Sequence, residues 1–319
     1  MNRFSQFQVI LTGTLALCGT VYSGDALAQN DSLEPASGPC EMELTAENSV
    51  DWRGSYGRGY EVFDAAPSYE TFTISVRKEG GPCNFFLTAS PNSASADNKL
   101  VGPDGALNYD ILKTTNGPSF LNGDFFGSQL SRIEGSFGNG SGGYSGALFV
   151  SIPSGQFVRG GTYTGQALIR LFRDDENGPQ LVSETPIALL APVASVLKVS
   201  SDTFGEGNRE TSIDFGDLSV PSSRSVDFEI ISNADIAVSF QSANSGKMSH
   251  EFGGPGIDYD LRLRGEEIDL SAQSATRRLS YRGDNQGQSM PLEISVKPGG
   301  GVPPAGRYND TLMITFTAD

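Results

Sequence analysis

The chain has 319 residues, of which 37% are hydrophobic and 39 are glycine, so it can bury one or two cores and is rich in loops. Its formal net charge of −16 opposes binding to the phosphates of nucleic acids and to anionic lipid headgroups. No basic run is longer than Arg277-Arg278. We therefore expect a globular protein that has no nucleic-acid partner.

The N-terminus predicts export. Arg3 precedes an apolar stretch at residues 9–21, and Ala26-Leu27-Ala28 supplies the small residues of a cleavage site. We expect residues 1–28 to be a signal peptide that is removed after Ala28. The apolar stretch is too short and too often interrupted by Gly and Thr for a transmembrane helix.

Two cysteines, Cys40 and Cys83, follow the predicted signal peptide. An even pair of cysteines in an exported protein most simply forms a disulfide. The alternative, two free thiols, does not suit an oxidising compartment. We expect a disulfide between Cys40 and Cys83.

The rest of the first half has the pattern of β-strands. A polar lead-in, residues 29–39, has no alternating apolar residues and is expected to be flexible. Apolar alternation or strand composition then recurs, and no intervening stretch has a sustained helical period with caps. The predicted strands are residues 40–44, 69–76, 83–89, 107–112, 147–152 and 163–172. The first half is therefore predicted to be all-β.

The second half repeats the first in the same order. The best match is between two strands that begin 145 positions apart, at 161 and at 306. One reads Gly161-Thr162-Tyr163 and then Ala167, Ile169 and Leu171, and the other reads Gly306-Arg307-Tyr308 and then Leu312, Ile314 and Phe316. The other matches join 50–52 to 213–215, 72–76 to 226–230, 85–90 to 237–242, and 107–110 to 257–260. A period this long indicates two copies of one β domain, residues 29–190 and 191–319.

The two copies differ after this matched strand. In the first copy, residues 174–178 form an acidic hairpin signal and lead into a further strand, residues 181–190, which tolerates Pro186 as an edge strand can. In the second copy the sequence ends at Asp319. We therefore expect two tandem immunoglobulin-like sandwiches, of which the second is incomplete and lacks its last strand. Its acceptor edge is expected to carry Leu312, Ile314 and Phe316.

These segments resemble the spore coat protein U domain, the subunit module of archaic chaperone-usher pili. The resemblance covers residues 213–319 well and residues 40–172 more weakly, and the second copy departs from the family pattern in having no disulfide. The residues that carry it are Cys40, Cys83, 213–218 (IDFGDL), 242–248 (SANSGKM), Tyr259-Asp260-Leu261 and 305–311 (AGRYNDT).

The resemblance implies how such a protein assembles. In this family a periplasmic chaperone first holds the incomplete sandwich, an outer-membrane usher exports it, and the adjacent pilus subunit completes it with an N-terminal donor strand. Residues 29–39 lack the alternation of a donor strand. The resemblance therefore implies a tip adhesin at the cell surface, which accepts a strand, donates none, and mediates surface attachment and biofilm formation.

A glycine-rich segment, residues 116–146, holds the candidate binding residues. Phe120, Leu121, Phe125 and Phe126 stand among turn-forming residues, and exposed apolar groups often mark interaction sites. The resemblance implies that they would grip an abiotic or host surface. The alternative is that they fold back onto the sandwich, because most Phe residues are buried. Two further candidate pairs are Tyr56 with Tyr60 and Phe137 with Tyr144.

Catalytic and metal-binding patterns are weak. His250 is the single histidine, and no HExxH, CxxC or phosphate-loop motif occurs. The acidic run Asp174-Asp175-Glu176 is typical of a solvated hairpin and lacks the spacing of a calcium loop. We expect no enzyme activity, no cofactor and no bound metal.

Two alternative functions remain at this point. A non-tip structural subunit, or a spore-coat-like subunit of a surface matrix, would be favoured by a donor strand hidden in residues 29–39. A periplasmic carbohydrate-active enzyme would be favoured by two carboxylates that converge in a deep cleft.

Overall fold

The computed structural model describes residues 38–92, 97–121, 126, 128–204, 209–272, 274–296 and 304–319. Within these ranges the chain forms strands and loops, with one 3-10 turn at Gln129–Ser131 and no α-helix. No described helix is therefore long and apolar enough to cross a bilayer. The all-β prediction is confirmed. The predicted signal peptide, 1–28, lies outside the described residues.

The first half folds into two sheets. Its strands are β1 (Glu41–Ala46), β2 (Ser49–Asp51), β3 (Tyr69–Glu79), β4 (Cys83–Pro91), β5 (Lys99–Val101), β6 (Ala106–Asn108), β7 (Asp110–Leu112), β8 (Ile133–Phe137), β9 (Gly142–Ser151), β10 (Gly161–Asp175) and β11 (Gly178–Val193). One sheet has the order β1-β3-β9-β7. The other has the order β2-β11-β10-β4-β8, with β5 and β6 beside β10.

The second half also folds into two sheets. Its strands are β12 (Leu197–Ser200), β13 (Ser222–Ser232), β14 (Ile236–Ser242), β15 (Lys247–His250), β16 (Ile257–Leu263), β17 (Glu266–Ile268), β18 (Ala275–Leu279), β19 (Gln288–Val296), β20 (Tyr308–Asn309) and β21 (Leu312–Ala318). One sheet has the order β12-β13-β19-β16-β15-β20, with β17 beside β16. The other has the order β18-β14-β21.

Alternation along the strands produces the cores. In β3, the side chains of Phe72, Ile74 and Val76 are buried and those between them are more exposed. A strand turns successive side chains to opposite faces, so this spacing places one apolar row against the facing sheet. β19 repeats the pattern, with Met290 and Leu292 buried. The immunoglobulin-like sandwich prediction is confirmed for both halves.

The structure repeats as the sequence does. β10 pairs with β4 and β4 with β8, and likewise β21 pairs with β14 and β14 with β18. The Tyr163 hydroxyl donates to the Arg159 carbonyl at 3.0 Å, and the Tyr308 hydroxyl donates to the Pro304 carbonyl at 2.9 Å. Both tyrosines bond four residues back. The predicted offset of 145 therefore places equivalent residues at equivalent positions.

The buried apolar residues form separate clusters in the two halves. The first cluster extends from Leu44 to Val193, and the main cluster of the second half extends from Val226 to Ile294. The described residues nevertheless belong to one compact unit. β11 continues to Val193, three positions beyond the predicted domain boundary at residue 190, and that boundary stays a prediction.

Polar contacts join the two sandwiches at a junction. Arg159 Nη2 donates to Asp235 Oδ2 at 2.5 Å, and the Gly160 N–H donates to the carbonyl of the fully buried Asn233 at 2.9 Å. The Asp319 N–H donates to the Asp235 carbonyl at 2.8 Å. β21 therefore ends at the junction, and its beginning lies at the opposite end of the second sandwich.

The predicted disulfide is confirmed. Cys40 and Cys83 are joined with an S–S distance of 2.00 Å and a sequence separation of 43. Closing a loop of this size restricts the unfolded chain by about 4 kcal/mol on the chain-entropy model. The bond lies where β4 begins, at the end of the first sandwich remote from the junction.

A buried lysine holds the loops at the same remote end. Lys78 is 1% exposed, and its ammonium group donates to the carbonyls of Gly80, Gly138 and Gly140 at 2.6–2.8 Å. All three ammonium protons therefore have acceptors. A lysine is rarely so buried unless its charge is satisfied in this way.

We expect Lys78→Met to destabilise the first sandwich by about 3 kcal/mol, because three charge-assisted hydrogen bonds are lost together. Denaturant unfolding followed by the fluorescence of Trp52 measures this. Lys99→Met is the control, because Lys99 pairs with Asp97 at an exposed site and should contribute less than about 1 kcal/mol. Equal effects of the two substitutions would contradict the role assigned to Lys78.

Candidate functional site

The outer edge of β21 is the main candidate site. β21 pairs with β14 along one edge, from Leu312 opposite Ser242 to Ala318 opposite Ile236. Along the other edge, the described part of the chain supplies no strand. The equivalent strand of the first sandwich, β10, has β4 on one side and β11 on the other. The second sandwich therefore has no counterpart of β11 within the described residues.

The side chains of β21 reflect this difference. In β10, Ala167, Ile169 and Leu171 point inward and are 0% exposed. Their counterparts, Leu312, Ile314 and Phe316, also face the second core but are only half-buried. Apolar area that stays in water costs about 25 cal/mol per Å² relative to burial, so filling this edge with apolar side chains is favourable.

A second segment borders the same opening. In the first sandwich β2 runs parallel to β11, with Val50 opposite Leu189. Residues 213–215, which match the β2 region in sequence, form no strand, although Ile213 and Phe215 pack against the second core. The absent neighbour explains this, because β2 pairs with β11 alone. The opening therefore lies between β21 and residues 213–215.

A carboxylate fixes the start of β21. Asp310 accepts hydrogen bonds from the hydroxyls of Ser242 and Tyr259 at 2.6 and 2.7 Å. It also accepts bonds from the backbone and side-chain amides of Asn244, both at 3.0 Å. Burial, reinforced by the bond to Asp310, raises the pKa of Tyr259 well above its ordinary value. The phenol therefore stays protonated and donates its hydrogen bond to Asp310, so the start of β21 is held in place.

We expect Asp310→Ala to weaken the second sandwich by about 3 kcal/mol, because four donors lose one acceptor group. Hydrogen exchange of the β21 amides should accelerate accordingly. Asp284→Ala is the control, since Asp284 accepts a local bond from the Gln286 N–H, and this substitution should cost less than about 1 kcal/mol. Unchanged exchange in Asp310→Ala would show that β21 is positioned by packing alone.

The predicted binding residues are only partly exposed. Phe120 and Leu121 are 0% and 7% exposed and belong to the first core, so the expectation that they are presented to a surface needs correction. Their backbone explains the burial, because the Phe120 N–H donates to the Ile111 carbonyl and Leu121 forms a bridge to Ala89. The chain here lies along the strands and turns these side chains inward.

The remaining members of the predicted set have different positions. Phe126 is 44% exposed, and Phe125 lies outside the described residues. Of the other candidate pairs, Tyr56 is exposed and Tyr60 is buried at the junction end, where its N–H donates to the Pro192 carbonyl. Phe137 and Tyr144 are half-buried and contact the ring of Phe85. Their use in binding stays a prediction, and Phe126 is the most accessible described member of the main set.

An aromatic cluster on the outer face of the first sandwich was not anticipated. Phe86 and Phe172 stack at 4.8 Å outside the main core, and Phe126 lies 5.5 Å from Phe172. The Arg132 guanidinium lies 4.2 Å above the Phe86 ring, and Leu130, two residues earlier in the sequence, is 74% exposed. The sequence signal is the consecutive apolar residues Phe85-Phe86-Leu87 in β4, which indicate a strand covered on both faces.

The possible catalytic and cation sites are unremarkable in geometry. His250 packs edge-on against Tyr308 at 4.9 Å, and its Nε2 lies 3.3 Å from the Ala305 carbonyl. In the acidic hairpin, Arg173 Nε donates to both carboxylate oxygens of Asp175 at 2.9 Å. Among the described residues, no group of three or more His, Cys, Asp or Glu side chains is arranged to hold a metal ion.

No protein-family model and no curated protein sequence matches the chain. Among solved structures, the chain is similar to one from the CsuC–CsuE chaperone–tip adhesion subunit complex of the archaic chaperone-usher Csu pili of Acinetobacter baumannii. The identity is 13%, the coverage is 87% of this chain and 99% of that one, and the TM-score is 0.36.

Two further similar structures are tip or adhesive subunits. The CupB6 tip adhesin of Pseudomonas aeruginosa is 11% identical, with coverage of 87% and 94% and a TM-score of 0.42. CfaE, the adhesive subunit of CFA/I fimbria of enterotoxigenic Escherichia coli, is 14% identical, with coverage of 87% and 81% and a TM-score of 0.34.

Proposed function

We propose that this protein is the tip adhesin subunit of an archaic chaperone-usher pilus. The second sandwich accepts a strand from another chain along β21, first from a periplasmic chaperone and then, at the outer-membrane usher, from the adjacent pilus subunit. The first sandwich mediates attachment to an abiotic or host surface and the formation of biofilm. The observation that carries the proposal is the contrast between the filled edge of β10 and the open edge of β21.

The filled edge supports a specific form for the incoming strand. β11 contributes Ile187, Leu189 and Ala191 to the first core at alternate positions, all at most 2% exposed. It runs antiparallel to β10 and parallel to β2. By the offset of 145, the incoming strand would run antiparallel to β21, parallel to residues 213–215, and have the same apolar alternation.

The polar character of residues 29–39 supports the tip position. This segment is polar, contains Pro35, Gly38 and Pro39, and has no alternating apolar side chains. It therefore lacks the alternating apolar side chains with which β11 fills the first core. A subunit that accepts a strand and supplies none occupies the end of a fibre, with its first sandwich directed outward.

The attachment surface would be the outer aromatic cluster. Phe126 and Leu130 are 44% and 74% exposed. Phe126 lies 5.5 Å from Phe172, close to the end of β10 remote from the junction, and Leu130 is two residues before Arg132 in sequence. Leu181, directly opposite Phe172 on β11, is also 44% exposed. An apolar surface of this kind suits contact with another hydrophobic surface.

We expect an added strand to complete the second sandwich within one chain. Asp319 corresponds to Asp174 by the offset of 145, so residues 175–193 can be appended after Asp319 to supply a hairpin and a copy of β11. Burial of the open row should raise the unfolding temperature of the second sandwich by about 10 °C or more and suppress aggregation. Calorimetry and light scattering measure these changes.

The matched control is the same extension with Ser in place of the residues copied from Ile187, Leu189 and Ala191. It keeps the length and the hairpin but has no apolar row, and it should leave the unfolding temperature near that of the parent chain. If the parent chain is already monomeric and the apolar extension does not stabilise it, the proposed acceptor role is wrong.

We expect Phe126→Ser combined with Leu130→Ser to weaken adsorption to a hydrophobic surface about tenfold, because about one large apolar side chain of buried contact is lost. Fibre assembly should be normal, since β21 is untouched. Quartz-crystal microbalance adsorption to polystyrene measures the change. Val101→Ser, a 65%-exposed site elsewhere on the first sandwich, is the control. Equal adsorption by all three proteins would assign the cluster to packing.

A further inference from the structure

One exposed aromatic residue of the second sandwich has no role in the proposed acceptor edge. Phe252 is 86% exposed, and it follows β15 in a short loop before β16. A large apolar side chain held in water is unfavourable relative to its burial. Such a residue is informative when its backbone is fixed, because it then stays exposed until a partner covers it.

The loop that carries Phe252 is fixed by several hydrogen bonds. The Glu251 N–H donates to the Arg307 carbonyl at 2.9 Å, and the Arg307 N–H donates to Glu251 Oε1 at 3.1 Å. The Phe252 N–H donates to His250 Nδ1 at 3.2 Å, and the Gly253 N–H donates to the His250 carbonyl at 3.0 Å. The loop is therefore tied to the segment that leads into β20 and β21.

Phe252 lies at the end of the second sandwich remote from the first. Glu251, the residue before Phe252, is hydrogen-bonded to Arg307, and Arg307 lies five residues before Leu312, where β21 begins. β21 then runs roughly 20 Å before Asp319 reaches the junction at Asp235. Phe252 therefore lies at the base of the second sandwich, remote from the first.

The first sandwich shows what occupies the equivalent base. β11 leaves that sandwich beside Gly161, where Val193 is its partner, and the chain continues directly into the second sandwich. The two bodies then contact each other through aromatic residues of the base: Phe157 stacks on Tyr281 at 6.3 Å, and Lys198 lies 3.8 Å above the Phe63 ring. In this molecule, the sandwich that follows β11 in sequence thus packs against the end of the first sandwich from which β11 emerges.

By the offset of 145, the position of Gly161 corresponds to Gly306, next to Arg307 and the Phe252 loop. We propose that Phe252 is a docking residue for the folded body of the subunit that supplies the strand, and that it packs against an aromatic or other apolar side chain of that body. This inference rests on the proposed acceptor function. It adds a contact outside the strand itself, which a free peptide would not make.

Site-specific photocrosslinking in the organism that produces the fibre tests the docking site. Benzoylphenylalanine is placed at residue 252, at residue 315 on the open edge, and at residue 130 on the first sandwich as a control. We expect residues 252 and 315 to crosslink to the same polypeptide in assembled fibres, and residue 130 not to crosslink to it. In the chain extended with the β11 copy, both crosslinks should disappear.

The outcomes separate the two proposals. A crosslink from residue 315 without one from 252 to the same polypeptide overturns the docking site and leaves the acceptor edge intact. A crosslink from 252 only to a periplasmic carrier, and not in assembled fibres, also overturns it. No crosslink from 315 refutes the acceptor function and the docking site with it.

Affinity measurements provide a second test. The partner subunit identified by crosslinking is purified without the crosslink, and Phe252→Ser should weaken its binding about tenfold. The substitution should change the affinity of a synthetic peptide with the sequence of residues 179–193 less than about twofold, because the peptide fills only the edge. Leu130→Ser should affect neither. Equal binding of the complete subunit by the parent and Phe252→Ser would refute the contact.

Discussion

The two edges of β21 impose the strongest constraint on this molecule. One edge is paired with β14, while the described residues supply no strand for the other, and the inward row of Leu312, Ile314 and Phe316 is half-covered. Backbone groups left unpaired beside apolar side chains favour pairing with another strand, so such an edge is either an aggregation site or an acceptor. The first sandwich shows the stable solution, because β11 supplies both the hydrogen bonds and the apolar row.

The two ends of β21 lie at opposite ends of the second sandwich, one at the junction with the first sandwich and one at the base. Asp235 binds Arg159 of the first sandwich through its carboxylate and the Asp319 N–H through its carbonyl, so the end of β21 is held at the junction. The start of β21 is held at the base by Asp310. An incoming strand would thus pair with a strand, β21, that is fixed at both ends. The outer aromatic cluster lies on the far side of the junction.

The candidate binding residues show how loop composition can mislead. Glycine-rich surroundings made Phe120 and Leu121 candidates for an exposed binding site, with packing onto the sandwich as the alternative. Backbone contacts with Ile111 and Ala89 turn both side chains into the core. Conversely, Phe86 lies in a regular strand, yet the segment around Arg132 covers it from outside. Whether a side chain is exposed depends on what the chain places above it, and that segment is distant in sequence.

The sequence alone determined the all-β class, the Cys40–Cys83 disulfide, the repeat at an offset of 145 and the inward row of β21. These features depend on the local alternation of apolar and polar residues and on the order of residue types along the chain. Only the tertiary structure decided that residues 213–215 lack a strand partner, that Phe120 is buried and that Phe252 is exposed at the base. Those properties arise from pairings between residues far apart along the chain, and alternation within one strand does not specify its neighbour.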